Sequence, residues 1–512
     1  MLDTSNPNHY HFTARHLEIT VLGGVRLNKL DSLRVTLSIN KTDSSEKLRH
    51  NIDLYNNNQV EKLVRKVAER LETGTSITRR ALQELTDRLE THRLKELEAL
   101  DSEPMARELT PTELRAAEAF LKKKDLLART NELIGQSGVI GEHTNRLLMY
   151  IIFTSRKSNN PLHCISLGSS GVGKTHLQSK VGELIPETDI VDMTVLSENA
   201  FYYFNRTELR NKLILIEDLD GAEAALYPLR ELQSKRSITK RVSHKDRNGN
   251  TKTIKLTVEG PVSVAGCTTQ ESIYEDNSNR SFLLYIDESE AQDERIMQYQ
   301  RAVSAGQANE QEQLKAAELL RNVQMLLRPI KVINPYAMHL ALPKSVFKPR
   351  RTNAHYLQFI EAITFYKQMQ REKRYDKATG EEYIETEIED IQEANELITE
   401  VLLRKSDILN GACRQFFELL KAYLKANGES TFTNAEIRRA LRIHPSNQKR
   451  YMLQLGQAGL VRKAKGNKRN GYLYEVVSYD EYQNTQTKIR RLLDDIVTRL
   501  QGKRDVVVQS SP

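Results

Sequence analysis

Hydrophobic and polar positions near the start of the chain follow two periods. Leu17, Ile19 and Val21 alternate with other residues, Gly23-Gly24 breaks the run, and Leu33, Val35, Leu37 and Ile39 alternate again, which predicts half-buried strands. Leu48, Ile52 and Leu54 predict a third strand. Val60, Leu63, Val64, Val67 and Leu71 then keep helical spacing up to Gly74, and Leu82, Leu85 and Leu89 restart it after the Thr75-Ser76 start signal. Residues 1–100 therefore read as a small α+β module. The stretch Asp101 to Thr110 carries a proline and acidic residues without an apolar period, as a linker would. Thr110-Pro111-Thr112-Glu113 predicts a new helix: a cap residue, proline at the first helical position and a glutamate completing a capping box.

From Leu162 to about Tyr285, short β-rich runs alternate with helical segments. That order predicts a three-layer α/β domain with a parallel sheet. Residues 310–405 read as helical, and about 407–480 as a helix-turn-helix-like unit ending in a basic hairpin. No internal repeat is present.

Length and composition narrow the class. At 512 residues the chain should hold about three or four domains. Lys and Arg number 76 against 68 Asp and Glu, a net charge of +8, which favours a polyanionic partner only where the cations cluster. Cys164, Cys267 and Cys413 are far apart, excluding a disulfide framework and a cysteine-based zinc site and suiting a reducing cytoplasm. Met1 to Phe12 is polar, unlike a secretory signal. The longest apolar run, Leu147 to Phe153, has seven residues, far below the roughly 20 that span a bilayer. A soluble, cytoplasmic protein without membrane contact is expected.

One motif carries chemistry directly. The apolar run Leu162 to Leu167 leads into Gly168-Ser169-Ser170-Gly171-Val172-Gly173-Lys174-Thr175, the pattern G-x-x-x-x-G-K-[ST] in strand-loop-helix context. Its glycines let successive N–H groups face a β-phosphate, Lys174 reaches β/γ oxygens, and Thr175 ligates Mg²⁺ at a helix N-terminus. The expected nucleotide-binding set runs from Gly168 through Thr175 to His176. About 40 residues on, the apolar run Lys212 to Ile216 ends in Glu217-Asp218-Leu219-Asp220, where an acidic pair should sit beside the phosphate loop. One carboxylate would join the Mg²⁺ shell and the other orient the attacking water; which of Glu217 and Asp218 does which stays open.

Two β-rich arms then surround Asn248-Gly249, a hairpin signal. From Lys235 to Lys255 there are eight Lys or Arg and one acid, Asp246. Lys240, Arg241, Lys245, Arg247 and Lys252 on this finger are candidate phosphate contacts for nucleic acid; a hairpin made soluble by charge is the alternative. A short buried run, Pro261 to Thr269, ends in Thr268 and Thr269. Arg280 precedes the strand Phe282 to Ile286, and Arg350 and Arg351 open a later helix.

This order of motifs resembles an AAA+ ATPase over about residues 130–400, and the hairpin resembles the pre-sensor-1 hairpin group that includes minichromosome maintenance helicases. The lead-in Ile140-Gly141-Glu142 and Arg146 to Ile152 is similar to their adenine-side segment. Gly168 to Arg280 more closely resembles the helicase half of primase-helicase proteins of bacterial mobile elements and phages, often labelled DNA primase. The resemblance implies ATP and Mg²⁺ as cofactors, Thr268 or Thr269 as sensor 1, Arg280 as a finger acting in a neighbour's site, and Arg350 or Arg351 as sensor 2. It differs in the inverted acidic order and in a threonine where minichromosome maintenance proteins use asparagine. The first 130 residues lack the Cys/His zinc spacing and acidic metal site of primase folds, so DNA synthesis by this chain is not expected.

Farther on, Thr433 to Leu441 reads as a capped helix, His444-Pro445-Ser446 as a turn, and Ser446 to Gly456 as a second helix bearing Lys449 and Arg450. The unit resembles a winged helix, with Lys465, Lys468 and Arg469 on a wing that would lie on phosphates; a protein-binding module is the alternative. The expected fold class is thus α/β: an N-terminal α+β module (1–100), a linker and helix (101–130), an AAA+ P-loop core (131–300), a helical lid (301–405), a winged helix (406–480) and a C-terminal helix and tail (481–512). The expected function is an ATP-dependent DNA helicase or translocase in replication of a mobile element or phage. Single-stranded DNA would lie in the channel of a homo-hexamer and duplex or single strands at the winged helix, with a separate primase as a further partner. The alternative is an ATP-switched DNA-binding regulator or loader that does not unwind.

Overall fold

A computed structural model of the chain describes residues 2–14, 16–25, 32–42, 46–101, 107–194, 199–220, 225–245, 251–269, 280–343, 349–467 and 471–509. Arg247, Lys468 and Arg469 lie outside the described residues, and Lys245 and Lys252 are described by their backbone alone. The chain divides into two compact units, residues 1–107 and 108–512.

The first unit is an antiparallel sheet with two helices. Strands β1 (Leu2–Asp3), β2 (His9–Ala14), β3 (Leu17–Leu22), β4 (Arg34–Lys41) and β5 (Lys47–Asp53) pair in that order. The alternating positions Leu17, Ile19 and Val21, and Val35, Leu37 and Ile39, are buried against α1 (Asn57–Arg70) and α2 (Thr75–Asp101). Strands β1 and β2 go beyond the sequence reading, which found only polar residues there. Tyr10 and Phe12 supply just two inward positions between exposed His9, His11 and Thr13, too few to register as a period.

In the second unit α3 (Pro111–Leu121) starts at Thr110, whose capping box with Glu113 forms as expected. Helices α4 (Leu126–Gln136) and α5 (His143–Thr154) lead into β6 (His163–Leu167), α6 (Lys174–Gly182), β7 (Ile190–Met193), β8 (Lys212–Ile216) and α7 (Leu226–Lys235). The hairpin β9 (Ser237–Lys245) and β10 (Thr251–Glu259) follows, then β11 (Val262–Thr268) and β12 (Phe282–Tyr285). The central sheet has the order β12-β6-β11-β8-β7 with every pair parallel. Because both faces are covered, β6 and β11 are buried at every position, which explains their uninterrupted runs. Cys164, Leu215 and Ala265 face a cluster that includes α5 and α6; Ile165, Ile216 and Val264 face α7 and the hairpin root, Ile238 and Val258.

Helices α8 (Glu290–Ser304) and α9 (Glu310–Leu326), strand β13 (Lys331–Ile333), α10 (Pro349–Tyr366), β14 (Arg374–Tyr375), β15 (Glu382–Glu385) and α11 (Ile388–Ser406) come next. The all-helical expectation for 310–405 is corrected here by the three-stranded sheet β13-β15-β14. Its strands are two to four residues long, shorter than any periodicity window. The last segment runs α12 (Gly411–Asn427), β16 (Thr431–Thr433), α13 (Asn434–Ala440), α14 (Pro445–Gln457), β17 (Val461–Asn467), β18 (Gly471–Val476) and α15 (Glu481–Gln509). A separate apolar cluster, including Phe416, Phe417, Phe432, Ile437 and Leu455, holds α12 to β18 together. Helix α15 returns to α11 and buries Ile489, Leu493, Ile496 and Leu500 in the main core. Among the described residues no helix is long and apolar enough to cross a membrane.

Candidate nucleotide site

Parallel register brings the sequence motifs to one edge of the central sheet. Thr268 at the end of β11 pairs with Leu167 at the end of β6, and Gly266 pairs with Ile216 at the end of β8. The phosphate loop, the acidic segment and the threonine pair therefore leave the sheet side by side, as ligand-binding loops of parallel sheets do.

The loop spans the gap between β6 and α6. Gly171 and Gly173 have φ of +86° and +94°, and a Cβ on either would meet nothing within 4 Å. Left-handed backbone, rather than crowding, is what demands glycine there. Lys174 is buried, and its Nζ donates to the carbonyls of Gly168 at 2.9 Å and Ser169 at 2.5 Å. Thr175 and His176 stand exposed in the first turn of α6. Below them Gln178 donates to Ile216 O at 3.1 Å and accepts from Cys267 Sγ at 3.4 Å, tying α6 to β8 and β11. Burial pushes the Cys267 thiol up to about 11, with Thr175 and Lys174 opposing it.

Glu217 is half-buried and its N–H donates to Met193 O at 3.2 Å, whereas Asp218 is exposed and its Oδ1 accepts the Asp220 N–H at 2.9 Å. Asp220, not assigned a role from sequence, receives three hydrogen bonds: Thr268 Oγ1 at 2.5 Å, Thr269 Oγ1 at 2.9 Å and Thr269 N at 3.2 Å. The hydroxyl of Thr175 and the carboxylates of Glu217 and Asp218 are hard oxygen donors of the kind that hold Mg²⁺.

A cavity of about 1270 Å³ adjoins the loop and is lined by Gly168, Ser169, Thr269, Asn145, Tyr285 and Arg404, among others. The Arg404 guanidinium lies 4.7 Å from the Tyr285 ring centroid and 5.6 Å from that of Tyr482. Glu142 receives Asn145 Nδ2 and the Asp287 N–H, and burial raises its pKa. Glu288 accepts from the Ser169 N–H at 2.7 Å and from its hydroxyl at 3.0 Å. Sequence reasoning missed Glu288, and no local signal marks it, because it lies 119 residues beyond the loop.

The arginines do not join this site within one chain. Phe282 pairs with Cys164 at the start of β6, so Arg280 stands at the opposite edge of the sheet, on the order of 16 Å away for five residues at ~3.3 Å each. Its Nε donates to Ser234 Oγ at 2.9 Å. Arg351, near the start of α10, lines with Arg280, Arg236, His163 and His355 a second cavity of about 390 Å³. Arg350 is exposed on the same turn. Burial pushes His163 and His355 down to about 3, helped at His163 by Arg280 and at His355 by Lys405.

On the hairpin, Arg241 is exposed and directly opposite exposed Lys255, while Lys240 lies 5.3 Å from the Tyr202 ring centroid and donates to Asn199. In the C-terminal segment Lys449 and Arg450 are exposed on α14 and Lys465 is exposed on β17. Among the described residues no group of three His, Cys, Asp or Glu side chains is arranged to hold a metal.

Residues 111–328 match the family model described as the MTBMA_p00010 P-loop domain. This part of the chain is a P-loop domain on a mixed α/β fold with a parallel sheet, which implies nucleotide binding. The chain is also 23% identical over 287 residues to the uncharacterized protein MTBMA_p00010 of Methanothermobacter marburgensis, covering 53% of this chain. It spans 34% of the length of that curated relative. Among solved structures it is similar to a full-length MCM homolog from Methanopyrus kandleri, with 13% identity, 77% of this chain and 75% of that one covered, and a TM-score of 0.36. It is likewise similar to Drosophila ORC bound to DNA (11% identity, 77% and 99% covered, TM-score 0.22) and to the C-terminal region of NrS-1 in its apo A form (13% identity, 73% and 76% covered, TM-score 0.22). At overlaps this low none of the three bears on function.

Proposed function

We propose that the chain is an ATP-driven DNA helicase or translocase of AAA+ type, acting in replication of a mobile element or phage as a ring of about six copies. The observation that carries this reading is the polarity of the sheet. The phosphate loop, Glu217, Asp218 and the Asp220–threonine cluster occupy one edge, and Arg280 with Arg351 occupies the other. Arginines so placed reach a nucleotide only in an adjacent copy, so hydrolysis requires assembly. Lys174 and Thr175 would hold the phosphates, and Thr175 with Glu217 would hold Mg²⁺, which would neutralise charge on the transferred phosphoryl group. Asp218, exposed just beyond β8, would orient water; Thr268 and Thr269, fixed by Asp220, would read the γ-phosphate.

The cross-strand pair Arg241–Lys255 supports a polyanionic partner for the hairpin, since like charges facing each other on an antiparallel pair are unfavourable until an anion lies between them. Residues 301–405 are read as a lid and 406–480 as a winged helix whose α14 (Lys449, Arg450) and hairpin (Lys465) lie on DNA phosphates. The test is ATPase rate with and without single-stranded DNA, together with displacement of an annealed strand. Stimulated turnover with displacement is the expected result. Stimulated turnover without displacement would make the chain a switch or loader, and DNA-independent turnover by monomers would overturn the reading.

A further inference from the structure

The carboxylate of Glu288 sits on the phosphate loop itself. Its Oε1 accepts the Ser169 N–H at 2.7 Å and its Oε2 the Ser169 hydroxyl at 3.0 Å. It lies so near the first loop glycine that a Cβ on Gly168 would come within 3.0 Å of Oε1. A third donor fixes it from elsewhere in the fold: Gln415 Nε2, on the first turns of α12, reaches Oε2 at 2.9 Å. Neighbouring acids are engaged differently. Glu142 holds Asn145 and the Asp287 amide, and Asp287 holds the Ser289 amide and lies 3.7 Å from Arg295. Glu288 thus places a negative charge at a loop built to collect anions, and α12 holds it there.

We infer that Glu288 is a built-in competitor of the nucleotide phosphates, held on the loop by Gln415, so that the segment beginning with α12 sets how tightly the loop takes a triphosphate. This rests on the nucleotide reading of the loop. A fixed carboxylate repels each added phosphate charge, so its effect must grow from diphosphate to triphosphate. Gln415 acts only through Glu288, so its removal should do nothing once the charge is gone. Because binding linkage is reciprocal, a triphosphate that displaces Glu288 also frees α12 from the loop.

The experiment is equilibrium fluorescence titration of the full chain with Mg²⁺ and N-methylanthraniloyl-labelled ADP or AMPPNP. The proteins are wild type, Glu288→Gln, Gln415→Ala and the double variant. Glu288→Gln keeps an oxygen for the Ser169 N–H and removes the charge. It should bind the triphosphate analogue roughly tenfold more tightly, a change equivalent to about 1.4 kcal/mol, and the diphosphate by a smaller factor. Gln415→Ala, at an exposed position, should shift both in the same direction by less, and the double variant should match Glu288→Gln alone. Equal shifts for both nucleotides, weaker binding by Glu288→Gln, or additive effects in the double variant would overturn the inference. Absence of binding by wild type and all variants would instead overturn the nucleotide reading beneath it.

Discussion

Lys174 shows how a single side chain is prepared for its ligand. Its ammonium is buried and held by the Gly168 and Ser169 carbonyls, so it need only exchange carbonyl oxygens for phosphate oxygens. Lys174→Ala should lower ATP hydrolysis by about 10²- to 10³-fold, the scale of losing one positioned charge-stabilising donor, with an unchanged circular dichroism spectrum. Asp218→Asn should leave nucleotide affinity near wild type and block turnover, since Asp218 is exposed and makes no bond to the loop; wild-type turnover would transfer the role to Glu217 or Asp220. The loop was fully legible in the sequence because its chemistry is contiguous. Asp220 and Glu288 were not, since their meaning comes from partners 48 and 119 residues away.

Among elements, the central strands were legible because burial on both faces leaves unbroken apolar runs, and α3 because its cap residues are contiguous. The sheet β13-β15-β14 was hidden by strands too short to show a period. The hairpin supplies a test with opposite signs for stability and function. Arg241 and Lys255 face each other with both side chains exposed. Replacing both by Ala should leave stability unchanged or raise it by about 0.2–1 kcal/mol. Stimulation of ATPase by single-stranded DNA and strand displacement should nevertheless fall. Melting temperature and turnover, measured on the same preparation, check both halves; stimulation at the wild-type level would remove the hairpin from the proposed DNA contact.

At the scale of the molecule, the proposed ring predicts sites shared between copies. Mixing Arg280→Ala with Lys174→Ala subunits should restore part of the hydrolysis that each lacks alone, because some interfaces then combine an intact loop with an intact arginine. No recovery despite confirmed co-assembly would place Arg280 outside the reaction. The same arginine edge should make the fold acid-sensitive. His163 and His355 are held down to about 3 chiefly by burial, against about 6.5 in an unfolded chain. Below pH 6.5 the unfolded state therefore binds more protons, so stability is complete above 6.5 and drains toward pH 3, by up to about 1.4 kcal/mol per histidine for each pH unit. His163→Leu should melt less steeply than wild type as pH falls from 7 to 4.5; parallel curves would show that His163 takes no part.

The buried guanidinium of Arg414 joins Asp407, just before α12, to Glu481, the first residue of α15. The entry and exit of the whole 411–476 segment therefore meet at one side chain, while α15 continues into the main core. Truncation before α15 would strip Leu493, Ile496 and Leu500 from that core and unfold more than it removes. Internal excision, joining residue 406 to residue 481 through a short glycine-serine bridge, should instead leave the P-loop core folded while removing Gln415 and its hold on Glu288, making the C-terminal segment a cassette separable from the fold but not from the phosphate loop.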